Sequence, residues 1–239
     1  DNRCFDPTAI GAGILNTTGL LELEHCTITQ NVRGGIHQDS QTGSTRLRYC
    51  ITAGNTRGAN GAESNFGGFG FRFIFDGPNL GLAVPPDAVG PAPIQGDPLL
   101  SPLAYFGGRT FTHALRPLSP ARNAAVGSTA TSDQRGFPIL GVPDLGAYET
   151  GTLATEYNAY IWETLPPDAS PESHAPDFDF DGDGQKNVDE WTALTDAAAA
   201  KDFFFTTVHR GPTSVSIDFR SAIGRHYRLE ASDSLEPGS

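Results

Sequence analysis

One twelve-residue stretch carries six residues spaced for chemistry: Asp179, Asp181, Asp183, Gln185, Asn187 and Glu190, with Gly184 among them. With Asp179 as position 1, carboxylates fall at positions 1, 3 and 5. Glycine falls at position 6, where a sharp turn needs positive φ. Gln185 at position 7 offers its backbone carbonyl, Asn187 stands at the often water-mediated position 9, and Glu190 at position 12 can bind through both oxygens. Alternate oxygen donors followed by one distant carboxylate wrap a large, hard cation in about 6–8 oxygens, the coordination of Ca²⁺. A solvated acidic turn would not need glycine and glutamate at those two places. The six residues are therefore expected to be metal ligands, and calcium the cofactor.

Such a loop needs elements to hold its ends. After it, Val188, Trp191 and Leu194/Thr195 are spaced as one face of a short helix, which Ala197–Ala200 prolongs or follows as a spacer. Before it, Tyr157, Tyr160, Ile161, Thr164 and Leu165 mark another helix, ended by Pro166-Pro167. Residues 166 to 178, rich in Pro, Ser and Asp, separate that helix from the loop. An ordinary EF-hand has its entering helix directly before the loop and comes in pairs, so a single structural ion is expected here and not a sensor. Extracellular modules of that kind bind in the range of ~10⁻⁴–10⁻³ M.

The net charge of −12 and pI of about 4.8 exclude a nucleic-acid surface or an anionic membrane as partner. Glycine (28) and proline (18) are abundant while charged residues make up only 18%, which points to a turn-rich β protein and not a disordered polyelectrolyte. No apolar run approaches the ~18 residues that span a membrane. Cys4, Cys26 and Cys50 contain no C-x-x-C pair for zinc or redox chemistry. The chain begins without Met or signal peptide and is read as a fragment or processed form.

Residues 1 to about 60 repeat. Ile14 and Ile36 are 22 residues apart; Cys26 and Cys50, like Asn31 and Asn55, are 24 apart. A period in the low twenties, with short alternating strands and Gly/Asn corners, predicts parallel coils stacked at about 4.8 Å. Asn31 over Asn55 then forms an asparagine ladder. Cys26 over Cys50 forms a stacked buried pair, the alternatives being a disulfide or a ligand site.

The pattern Gly-Gly-Ile…Asn and Gly-x-Leu-x-Leu-x-x-Cys-Thr-Ile-x-x-Asn resembles bacterial right-handed parallel β-helix proteins of pectin-lyase-like fold. Downstream come Gly96-Asp97-Pro98-Leu99-Leu100, Gly107-Gly108 through Thr112-His113-Ala114-Leu115, Asp133-Gln134-Arg135-Gly136 and Pro143-Asp144-Leu145-Gly146-Ala147-Tyr148-Glu149. This series resembles the choice-of-anchor Q region that closes β-helices of secreted bacterial surface proteins. Arg122-Asn123, where that family has an aliphatic residue and Asp, departs from it, and Phe73–Asp76 only loosely matches its Asn-Leu-Ile-Gly-Asp run. The loop resembles the thrombospondin-type-3-like, EF-hand-like calcium units that link domains in such proteins. Residues 221–235 resemble a β-module common at their ends, cut off before its last strands.

The expected organisation is mainly β: terminal β-helix coils over 1–80, a closing segment over 81–150, a helix–calcium loop–helix linker over 151–201, and a partial β-sandwich module over 202–239. In the last, strands are expected at Phe203–Phe205, Val215–Phe219 and Tyr227–Ala231. The resemblance implies a secreted or cell-surface monomer of structural or adhesive role, binding an extracellular polysaccharide or surface component. The alternative is the non-catalytic C-terminal part of a carbohydrate-active enzyme, a polysaccharide lyase or glycoside hydrolase. Asp6, Glu22, Glu24 and Asp39 do not form a convincing carboxylate pair across a groove, and His37 with Asp39 reads as a polar corner. Asp133, Arg135, Asp144 and Glu149 read as an ion-pair and turn network. Trp162 and Trp191, both on expected helices, do not make the exposed β platform that a glycan-binding tail would need.

Overall fold

The computed structural model describes residues 13–57, 61–151, 157–202, 204–219 and 228. Cys4, Asp6, Phe203 and the expected strand Tyr227–Ala231, apart from Arg228, lie outside them. The chain divides into two compact units, 1–169 and 170–239. That boundary falls inside the expected 151–201 segment: the first helix belongs to the first unit, the acidic loop and the second helix to the other.

The first unit is built on three three-stranded parallel sheets. Strands β1 (Ile14–Asn16), β4 (Ile36–Gln38) and β9 (Phe66–Gly68) form one sheet, with Ile14, Ile36 and Phe66 in register. Strands β2 (Leu20–Glu24), β5 (Ser44–Arg48) and β10 (Phe73–Phe75) form the second, aligning Leu23, Leu47 and Phe75. Strands β3 (Thr27–Ile28), β6 (Ile51–Thr52) and β11 (Leu80–Gly81) form the third. Every strand therefore pairs with its equivalent from the next pass of the chain. The inward positions make one core of Ile28, Ile36, Leu47, Cys50, Phe66, Phe73 and Phe75. Alternation does the sorting: in β2, Glu22 and Glu24 are exposed while Leu21 and Leu23 are half-buried, and Glu22 meets Arg46 at 2.9 Å on the outer face.

Asparagine fills one corner. Asn31 donates its side-chain amide to Asn55 Oδ1 at 2.8 Å, and Asn55 donates to Asn65 Oδ1 at 2.8 Å and to the Ile28 carbonyl at 2.9 Å. The third pass is longer than the first two. Ile36 to Phe66 spans 30 residues, because a short antiparallel pair, β7 (Thr56–Arg57) with β8 (Ala62–Glu63), and a 3-10 turn at Gly70–Arg72 are inserted. The 22–24-residue period breaks there for that reason.

The closing segment differs from the expected cover over the end. Residues 85–95 take the last strand edge: Val89 bridges Ile74 and Ile94 bridges Leu80, with Pro91 and Pro93 between and beside them. Proline supplies no donor, so it blunts the edge against further pairing. Residues 97–149 instead pack on the outer face of the third sheet. Tyr49, Ile51, Ala53 and Leu80 share a second core there with Phe106, Ala114, Leu115, Ala121, Ala125, Leu145 and Tyr148. Gly146 (φ +86°) lies so close that a Cβ would come within 2.5 Å of Thr27 Oγ1 and 2.8 Å of Ile51 Cδ1. Helix α1 (Tyr157–Thr164) buries Ala159, Tyr160 and Ile161 as its spacing predicts, and Trp162 lies 5.0 Å beneath the Arg116 guanidinium.

In the second unit, the 166–178 stretch is not simply a linker. A 3-10 turn spans Pro171–His174, capped by Ser170 and begun by proline, both standard starts. Helix α2 covers Asn187–Ala193 and stops at Leu194, which is left-handed at φ +57°. The tail forms one antiparallel hairpin, β12 (Thr206–Arg210) with β13 (Val215–Phe219), so the first tail strand lies at 206–210 and not at 203–205. Among the described residues, no helix is long and apolar enough to cross a membrane.

Asn55→Ala removes the middle of the asparagine ladder and leaves buried groups of Asn31 and Asn65 unpaired. It should cost roughly 2–4 kcal/mol in urea unfolding, against under about 1 kcal/mol for Glu22→Ala on the exposed face.

Candidate metal centre

The acidic loop converges as its spacing predicts. Carboxylate oxygens of Asp179, Asp181 and Asp183 all lie within 4.8 Å of one another, a group that could hold a metal ion. Local hydrogen bonds shape the turn. Asp179 accepts from the backbone N–H groups of Gly182 (2.8 Å) and Gly184 (3.0 Å); Asp181 accepts from Asp183, and Asp183 from Gln185 at 2.7 Å. Gly184 adopts φ +97° at the position that demands it.

Glu190 closes the loop from the first turns of α2. It is 0% exposed, and neither carboxylate oxygen has a hydrogen-bond partner. Oδ2 of Asp181, Oδ2 of Asp183 and Oδ1 of Asn187 are likewise buried and unpartnered. A buried carboxylate without donors is costly unless a cation completes it. Burial, followed by the charges of Asp181, Asp183, Asp179 and Asp196, pushes the Glu190 carboxyl up to about 8; burial likewise raises Asp181.

Asn187 shows how the loop is anchored. Its amide nitrogen donates to the carbonyls of Ser173 (2.9 Å) and Ala175 (3.0 Å), which fixes the side chain and leaves Oδ1 without a donor. The 3-10 turn thus takes the place of an entering helix. The Ser170-Pro171 pair is the sequence signal for that turn. Gln185 uses its side chain elsewhere, accepting from Phe204 N at 3.3 Å, which is compatible with a ligand role for its backbone carbonyl. The donor set of the loop is oxygen alone, which suits a hard divalent cation.

The other charged cluster behaves differently. Asp133 accepts from the Arg135 side chain at 2.7 Å and from the backbone N–H groups of Arg135, Phe137 and Glu149. Arg135 also donates to the carbonyls of Phe106 and Glu149 and lies 3.7 Å over the Tyr148 ring. Asp144 accepts from Asn123 N and Thr150 N, and Glu149 accepts from Asp144 N at 2.9 Å. Tyr148 donates to Glu163, which ties α1 to this network. All these oxygens serve the backbone, so the cluster ties loops together. His37 and Asp39 stand 4.0 Å apart at the surface, and burial lowers the histidine.

No family model, curated protein or solved structure matches the chain.

Two expected outcomes follow from these carboxylates. Cation loading must displace the proton that Glu190 carries near neutrality, so titration at pH 7 should release about one proton, read as calorimetric heats that vary with buffer ionisation enthalpy. Glu149 is raised by burial to about 7. A raised carboxyl gives stability that is full below its ordinary value and lost as pH rises through the folded one. The first unit should therefore weaken toward urea between pH 5 and 8, and Glu149→Gln should flatten that slope.

Proposed function

We propose that this chain belongs to a secreted or cell-surface protein of structural or adhesive role, in which a right-handed parallel β-helix forms the rod and a calcium-loaded loop stiffens the module that follows. The observation that carries the calcium reading is Glu190, fully buried with both oxygens unpartnered, beside three convergent aspartates. An oxygen-only, four-carboxylate set with a carbonyl at position 7 fits Ca²⁺ better than Mg²⁺, which keeps several waters and takes fewer carboxylates.

The β-helix reading is supported by strands that pair in parallel with their equivalents one pass later, and by side-chain stacks such as Ile14–Ile36–Phe66. The sequence resemblance to choice-of-anchor Q proteins supports secretion and surface attachment, with an extracellular polysaccharide or surface component as partner. A rod role suits the outer charges: Glu22 pairs with Arg46 and Asp76 with Arg48 across neighbouring strands, an arrangement that stabilises a face more than it activates a carboxylate. The calcium role is local. Like-charge repulsion keeps the empty loop open, and the ion relieves it.

Hydrogen exchange of the full chain, with calcium and with EDTA, tests this. Calcium should protect amides in about 178–195, chelation should expose them, and residues 13–151 should exchange alike in both. Asp181→Ala and Glu190→Ala should exchange like the chelated protein with calcium present. Equal protection of the loop with and without calcium would overturn the reading.

A further inference from the structure

Cys26 and Cys50 stand at the same corner of successive passes. Thr27 and Ile51 are register partners, and Ile51 N donates to the Cys26 carbonyl at 2.9 Å, so the two cysteines face each other across one strand spacing. That spacing, about 4.7–4.9 Å, lies within the Cα separations that a disulfide spans. Both side chains turn to the same core. The Cys50 sulfur reaches back to the earlier pass, 3.3 Å from the Leu23 carbonyl, and the Cys26 sulfur lies 3.3 Å from the next carbonyl, that of Glu24. Both cysteines are free thiols here; Cys26 is half-buried and Cys50 fully buried.

We propose that Cys26 and Cys50 are a redox-active pair that closes into a disulfide between neighbouring strand passes when the protein meets a disulfide oxidant. The order of events follows from access and acidity. The neighbouring Cys50 thiol lowers the Cys26 thiol, while that same contact and burial raise Cys50. Cys26, the accessible and more acidic member, attacks one sulfur of a small-molecule disulfide and releases one thiolate. Cys50 then gives up its proton and attacks the Cys26 sulfur of the mixed disulfide, releasing the second thiolate. Two protein thiols and one external disulfide thus become one protein disulfide and two small thiols, with no further oxidant. The left-handed residues His25 (φ +47°) and Tyr49 (φ +57°) precede the pair, so the sulfurs sit at a corner and not within a strand ladder. The corner can draw the Cβ atoms together to the ~3.5–4.5 Å that the bond needs. The bond would staple the first pass of the β-sheet stack to the second across 24 residues.

Incubating the full chain with oxidised glutathione, followed by peptide mapping without reduction, tests this. The expected product is a Cys26–Cys50 linked peptide lighter by two hydrogens, formed equally in Cys4→Ser, absent from Cys26→Ser and reversed by dithiothreitol. The unfolding midpoint of the first unit should rise by roughly 5 °C on oxidation. A stable glutathione adduct on Cys26, a Cys4–Cys26 bridge, or no reaction of either thiol in the folded chain would overturn the proposal.

Discussion

Parallel pairing in register is the constraint on which the first unit depends. When each strand lies beside its own equivalent, an inward residue meets the residue at the same position of the next pass, and one polar misfit would be repeated along the stack. Apolar positions therefore align with apolar ones, as in Leu23–Leu47–Phe75, and polar ones are admitted only where they bond each other. Asn31, Asn55 and Asn65 show the second case: each amide donates to the next oxygen and also meets a backbone carbonyl that the corner leaves exposed. A second polar knot, where Asn16, Gln38 and Thr45 bond one another at another buried corner, solves the same problem with mixed residue types.

The third sheet must be apolar on both faces, and that requirement shapes the rest of the unit. Cys50 and Ile28 point into the inner core while Ile51 and Leu80 point outward, so the outer face needs a cover of its own. Residues 97–149 supply it without regular secondary structure. A cover made of turns must pair its backbone polar groups some other way. The buried side chains of Asp133, Arg135, Asp144 and Glu149 do so, each bonding loop N–H or C=O groups that no strand satisfies. Ion pairing is secondary to that service.

Where local pattern and spacing decide the outcome, the sequence was legible. The stacking of Ile14 on Ile36 and of Asn31 on Asn55, the helix over Tyr157–Thr164 and the positions of the loop carboxylates all follow from intervals of fixed physical meaning. What escaped has equally physical reasons. The third pass was obscured because the β7–β8 insertion lengthens it to about thirty residues, which no periodicity reveals. The flank position of 97–149 depends on which face of the third sheet is apolar, and a two-residue strand such as Ile51–Thr52 is too short to show alternation. The strand at Thr206–Arg210 was displaced from Phe203–Phe205 because aromatic residues score as strand whatever their neighbours do, while the pairing register is fixed by the Gly211–Ser214 turn.

Two buried glutamates in this chain separate structure from site. Glu149 and Glu190 are both inaccessible, and burial raises both. Glu149 spends its oxygens on the N–H groups of Leu140 and Asp144, so its environment is complete without a ligand. Glu190 meets only other carboxylates, and neither oxygen finds a donor among the surrounding groups. Acidity and burial are thus common to the two; hydrogen-bond completion distinguishes them. A protein retains four carboxylates in mutual repulsion only where something of opposite charge offsets it. The second unit offers no such group from its own side chains to Glu190: the charges acting on it are those of Asp179, Asp181, Asp183 and Asp196, all of the same sign. The missing charge must come from a bound cation, and the left-handed Gly184 with the anchored Asn187 shapes the loop to receive it before it arrives.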